Sequence, residues 1–120
     1  HLGRLLFQGR VDLHRLAELR SLAFHRAAVE KIRADPGVLD AARERITEWV
    51  RAGGRTSGAA REWEDVLAGS LESICAFLVD PSERATALRQ STPFAGVLTP
   101  RDRWRIWRDV RADLERRPSG

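Results

Sequence analysis

Three helix-start signals of one kind partition this chain: Asp35-Pro36, Asp80-Pro81 and Thr99-Pro100. In each, a side-chain acceptor precedes a proline whose missing N–H costs nothing in a first helical turn. Two carry an acid three residues after the cap, Glu83 after Asp80 and Asp102 after Thr99, as a capping box requires. No run of strand length alternates apolar and polar residues. The expected product is an all-α protein, a single compact domain of five to six helices.

The apolar spacing places the helices between these marks. Residues 1–10 read as an N-terminal extension or short helix stopped at Gly9, ahead of a helical domain over 11–117. Leu6-Phe7-Gln8-Gly9 resembles a protease-recognition string, but Arg10 stands where such a site has proline, so it reads as native sequence. Asp12 is the expected cap of a long helix over 13–34. A second helix over 36–52 buries Val38, Leu39, Ala42, Ile46, Trp49 and Val50 at three-four spacing, and Gly53-Gly54 closes it. Residues 53–58 form a loop. Ser57 caps a third helix to Ala68, Ser70 caps a fourth over 71–79, and Asp80-Pro81 opens a fifth to Gln90. An apolar loop over 91–98, containing Phe94, closes the bundle's end or docks a partner. A last helix over 100–116 turns Trp104, Ile106, Trp107, Val110 and Leu114 inward, and Pro118 ends it. The four tryptophans, 49, 63, 104 and 107, are read as core.

Charge limits the partners. Twenty-one basic residues, of which only Lys31 is lysine, face 17 acids for a net charge of +4. That interleaved excess differs from the dense basic tract of an obligate nucleic-acid binder. The absence of asparagine, tyrosine and methionine points to a GC-rich coding bias that also inflates arginine. Cys75, the single cysteine, lies in an apolar run and reads as a small buried hydrophobe in a reducing cytoplasm. No segment reaches the roughly 20 apolar residues of a membrane span.

Few groupings carry chemistry. His14, Glu18, Ser21 and His25 align along one side of the first long helix, at a spacing loose for metal ligation. Arg20 falls within the apolar stripe of Leu13, Leu16, Ala17, Phe24 and Ala27, where it must snorkel to water, pair with an acid or meet a partner's anionic group. Arg101, Arg105 and Arg108 form a ridge on the last helix, suited to carboxylates or phosphates. The chain has no phosphate-binding glycine loop, Cys-x-x-Cys, nucleophile elbow or His-Glu-x-x-His. Catalytic residues, metal ligands and cofactors are therefore expected to be none.

Two resemblances extend these readings. Arg20-Ser-Leu-Ala-Phe-His25 resembles the Arg-x4-His motif of HEPN ribonucleases, helical domains in which that pair acts on RNA across a dimer. Residues 88–111 and the stretch Leu22 to Ala34 resemble small helical bacterial proteins of the toxin–antitoxin accessory kind. The second resemblance implies a non-enzymatic, antitoxin-like or regulatory module that binds another protein. The expected contact residues are Arg20, Phe94, Arg101, Arg105 and Arg108. Two alternatives stay open: a nucleic-acid-binding regulator using the same arginine ridge, and a HEPN-like ribonuclease using Arg20 and His25. A second copy of the chain is a further candidate partner.

Overall fold

A computed structural model describes the backbone of residues 2–54 and 57–116, and the side chains within that range from residue 13 onward. Six helices follow one another with no strand among the described residues: α1 Leu2–Ala34, α2 Val38–Ala52, α3 Ser57–Leu67, α4 Leu71–Leu78, α5 Glu83–Arg89 and α6 Pro100–Arg116. Helix α1 is the spine. Its 33 residues span about 50 Å at 1.5 Å each, matching the longest dimension of the molecule, 51 Å. It packs against every other helix except α3, and α3 is held chiefly by α2. Among the described residues no helix is long and apolar enough to cross a membrane.

The helix starts depart from expectation in an ordered way. No break occurs at Gly9, and Asp12 lies inside α1 rather than capping it. A helical glycine costs only about 1 kcal/mol relative to alanine, which the neighbouring turns outweigh. Both Asp-Pro signals start helices late. A residue before proline is held out of the helical region, so the Asp35 and Asp80 carboxylates instead accept the N–H two residues on, from Gly37 and Ser82, each at 3.1 Å. Helix α2 then opens at Val38 without a side-chain cap, and α5 opens after Ser82, whose hydroxyl accepts the Ala85 N–H at 3.2 Å. Thr99-Pro100 behaves as expected, with the Thr99 hydroxyl accepting the Asp102 N–H at 3.1 Å. Ser70 likewise caps α4 through the Ser73 N–H. At the end of α2, Gly53 takes φ 71°, a left-handed value open to glycine. Part of the 53–58 loop (residues 55–56) and Pro118 lie outside the described residues.

Trp63 sits at the centre of the core, fully buried. Its indole N–H donates to the Leu88 carbonyl at 3.1 Å. Phe77 and Phe94 meet its ring edge-on, with centroids at 5.8 Å and 6.0 Å. Around this group pack Ile32, Ile46, Ile74, Leu78, Leu98 and the thiol of Cys75, all buried. Arginines close two helix ends, Arg43 from the surface and Arg89 from inside the fold. Arg43 donates to the Leu67 carbonyl ending α3, and Arg89 donates to the Leu78 carbonyl ending α4. Both place a cation at the negative end of a helix.

Two expectations fail here. Trp104 points outward and is 69% exposed. Helix α6 lies on α1 alone among the helices, so only a narrow strip of it is covered, the strip of Ile106, Trp107, Val110 and Leu114, each half-buried. Trp104 lies about 60° around the helix from Trp107, enough to leave that strip. Phe94 is fully buried against Trp63, so it belongs to the core and not to a contact surface. With Pro93 and Leu98, it makes the 91–98 loop a lid on the bundle's end.

The two tryptophans should separate cleanly on truncation. Trp63→Ala is expected to cost about 3–5 kcal/mol in urea unfolding, and Trp104→Ala less than about 0.5 kcal/mol.

Candidate functional site

Helix α6 presents two different surfaces. Its outer face carries Arg101, Arg105 and Arg108, all exposed. None of the three pairs with a described carboxylate. Trp104 stands beside them, one turn from both Arg101 and Arg108. An unpaired arginine ridge bordering an exposed indole is therefore a solvent-facing property of the fold.

The two flanks of α6, where it meets α1, form two clefts of opposite character. One is lined by Glu30, Lys31, Asp102 and Arg105 with Ala27, Leu98 and Ile106, so its acids and bases balance. The other has a volume of about 340 Å³ and holds Arg20, Arg89, Arg103, His25, Ser21 and Thr92 beneath Phe24 and Trp107. No carboxylate lines it.

Each cation reaches this second cleft differently. Arg20 projects from α1, its guanidinium carbon 5.9 Å from the centroid of the Trp107 ring, a cation–π placement. Its Nε is buried and has no hydrogen-bond partner. The salt bridge that its place in the apolar stripe suggested is not formed with any described acid. Arg89, only 6% exposed, donates to the carbonyls of Leu78 and Asp80 and to the Thr86 hydroxyl. Those acceptors are neutral and form no ion pair, and burial pushes its pKa down from the ordinary arginine value against the opposing pull of the nearby Asp80 carboxylate. Arg103 comes from the half-covered strip of α6.

His25 forms the floor and is 1% exposed. Its Nδ1 lies 2.7 Å from the Ser21 carbonyl, an acceptor only, so Nδ1 carries the proton. Nε2 then accepts from the Thr92 hydroxyl at 2.8 Å, and that hydroxyl accepts the Phe94 N–H at 3.1 Å. This relay ties α1 to the 91–98 loop. Burial drives the imidazole pKa down to about 4, against the opposing Ser21 hydrogen bond and with help from the Arg89 charge. The ring is neutral at physiological pH.

The fold brings Arg20 and His25 to one cleft although they lie about 140° apart around α1, but both nitrogens of His25 are engaged. A neutral, doubly bonded ring offers no proton to a leaving group at neutral pH. His14 takes the opposite course: it is exposed and pairs with Glu18 at 3.1 Å, so the two imidazoles do not share a site. Among the described residues no group of three or more His, Cys, Asp or Glu is placed to hold a metal. Arg89 and Arg103 were not singled out from the sequence. The signal for Arg89 was present, since it follows Ala85 and Leu88 on the buried face of α5. Compared with protein-family models, curated proteins and solved structures, the chain matches none.

The His25 relay makes stability depend on pH. Its folded pKa of about 4 lies below the ordinary value of 6.5. The unfolded chain therefore binds a proton first as pH falls, and stability present above about 6.5 is lost on approaching 4. From about pH 7 to pH 5 this group alone should remove about 2 kcal/mol of unfolding free energy. His25→Asn, which keeps a donor toward Ser21 but does not titrate, should flatten that slope in urea melts across the same range.

Proposed function

We propose that this chain is a non-enzymatic binding module whose α6 face docks another protein, as an antitoxin-like neutraliser or regulatory partner would. The observation that carries the reading is Trp104, 69% exposed beside Arg101, Arg105 and Arg108, none of which is ion-paired with a described acid. Tryptophan and arginine are the residues that most often dominate binding energy at protein interfaces. A large ring held in water gains most when a partner covers it. The cations call for an acidic surface opposite, and their separation suits carboxylate pairing by planar forks.

Exposed Asp109, Asp113 and Glu115 share the helix with this ridge. They would repel a continuous phosphate backbone, which favours a protein over a nucleic acid. The buried thiol of Cys75 supports a reducing, cytoplasmic setting. Arg20 does not join this surface, because it lines the cleft on the inner flank of α6.

The test is co-purification with the product of the adjacent gene. The parent should retain it. The charge-reversed pair Arg105→Glu/Arg108→Glu, and separately Trp104→Ala, should weaken retention by about tenfold or more, equivalent to about 1.4 kcal/mol, with unchanged helical circular dichroism. Undiminished retention by both variants would overturn the reading. Retarded RNA or duplex DNA, with affinity falling linearly on a log–log salt plot, would replace it with nucleic-acid binding.

A further inference from the structure

We infer that the cleft between α1, the 91–98 loop and the inner flank of α6 is a binding site for a phosphate group, either free or as the monoester of a small molecule. The inference does not depend on what α6 docks outside, since it uses neither Trp104 nor the outer arginines.

The charge arrangement is the first argument. Arg20, Arg89 and Arg103 converge on one cavity with no carboxylate among its described lining residues. None of the three is in an ion pair with a described acid. Gathering partly buried cations without a counter-charge is unfavourable unless an anion compensates them. The chain does not lack acids for the purpose. On the other flank of the same helix, Glu30 and Asp102 balance Lys31 and Arg105. The imbalance is therefore local to one cleft.

The second argument is how the cations are held. Arg89 is fixed by the Asp80 carbonyl at 2.7 Å and the Thr86 hydroxyl at 3.1 Å. Arg20 is held over the Trp107 ring, with its Nε buried and without an acceptor. Neutral hydrogen-bond and ring contacts thus position two guanidiniums without a direct ion pair, Arg89 feeling only the more distant Asp80 carboxylate and the end of α4, the arrangement expected of a site prepared for an anion. His25 adds no charge, because its ring is neutral and both nitrogens are engaged. It holds the floor and is not offered as a ligand.

Ligand size and valence favour phosphate. Three guanidiniums suit a multiply charged group with three free oxygens better than a single carboxylate. A cavity of about 340 Å³ also leaves space beside the phosphate for a small organic body, against Phe24, Ala17 and Ala95.

The indole N–H resonance of Trp107 reports on the cleft and is assigned by its loss in Trp107→Phe. In two-dimensional ¹H–¹⁵N spectra of the full chain, inorganic phosphate should shift that resonance saturably while the Trp104 indole stays in place. Arg103→Gln and Arg20→Gln should each weaken the response by about tenfold. Arg103→Gln is the primary variant, because its partly exposed side chain bears no contact on which folding depends. Equal affinity for phosphate and a nucleoside monophosphate would indicate the free ion as the source, and tighter binding of the nucleotide would indicate the monoester. The inference is overturned if the Trp107 resonance does not saturate, if acetate or citrate binds as tightly as phosphate, or if Arg103→Gln responds like the parent.

Discussion

The indole of Trp63 is the contact on which the rest of the structure depends. It stands on α3, meets Phe77 of α4 and Phe94 of the 91–98 loop with its ring, and bonds the Leu88 carbonyl of α5 through its N–H. One side chain therefore sets the relative positions of three helices and a loop. The loop's path then decides the site. With Phe94 buried, Thr92 is placed where its hydroxyl meets His25 on α1, and that bond fixes the floor of the cationic cleft. Core packing and site geometry are thus parts of one chain of contacts.

The arginines divide into two populations with different physics. Arg43 from the surface and Arg89 from the interior donate to the carbonyls that end α3 and α4, so their charge stabilises those helix ends. Arg33 forms a two-bonded contact with Glu72 that links α1 to α4 at the surface. Arg101, Arg105 and Arg108 do none of this: they are exposed and form no ion pair with a described carboxylate. A net charge of +4 conceals this split, because composition counts a helix-capping guanidinium and a solvent-facing one alike.

Two causes separate the structure from the local pattern, a competing turn and distant packing. Asp35 and Asp80 carry the residue type and following proline of a helix cap, yet each engages the N–H two residues on and delays its helix. The competing turn is just as local as the cap, so residue identity does not choose between them. Trp104 was read inward because it is large and apolar. Its direction depends on how much of α6 the neighbouring helices cover, and only α1 among them packs there. Phe94 lay in an apolar loop whose alternatives, closure or docking, differ only in whether Trp63 is within reach. Spacing alone puts Arg20 in the apolar stripe of α1 and His25 on its polar side, about 140° apart, and only the packing brings both to one cleft. That Arg89 and Arg103 join them requires α5 and α6 to arrive at the same place.

The sequence by itself determined that the regular structure of the described residues is helical, that its apolar faces have a helical period, and that it supplies an arginine ridge near its C-terminus. These are consequences of neighbours within about four residues, where turn chemistry and periodicity act. Only the tertiary structure decided which tryptophan is buried, which arginines lose their counter-charges, and that His25 is neutral. Burial and electrostatic environment are set by residues distant in the chain, such as Thr92 and Arg89 around His25, and local pattern contains no record of them.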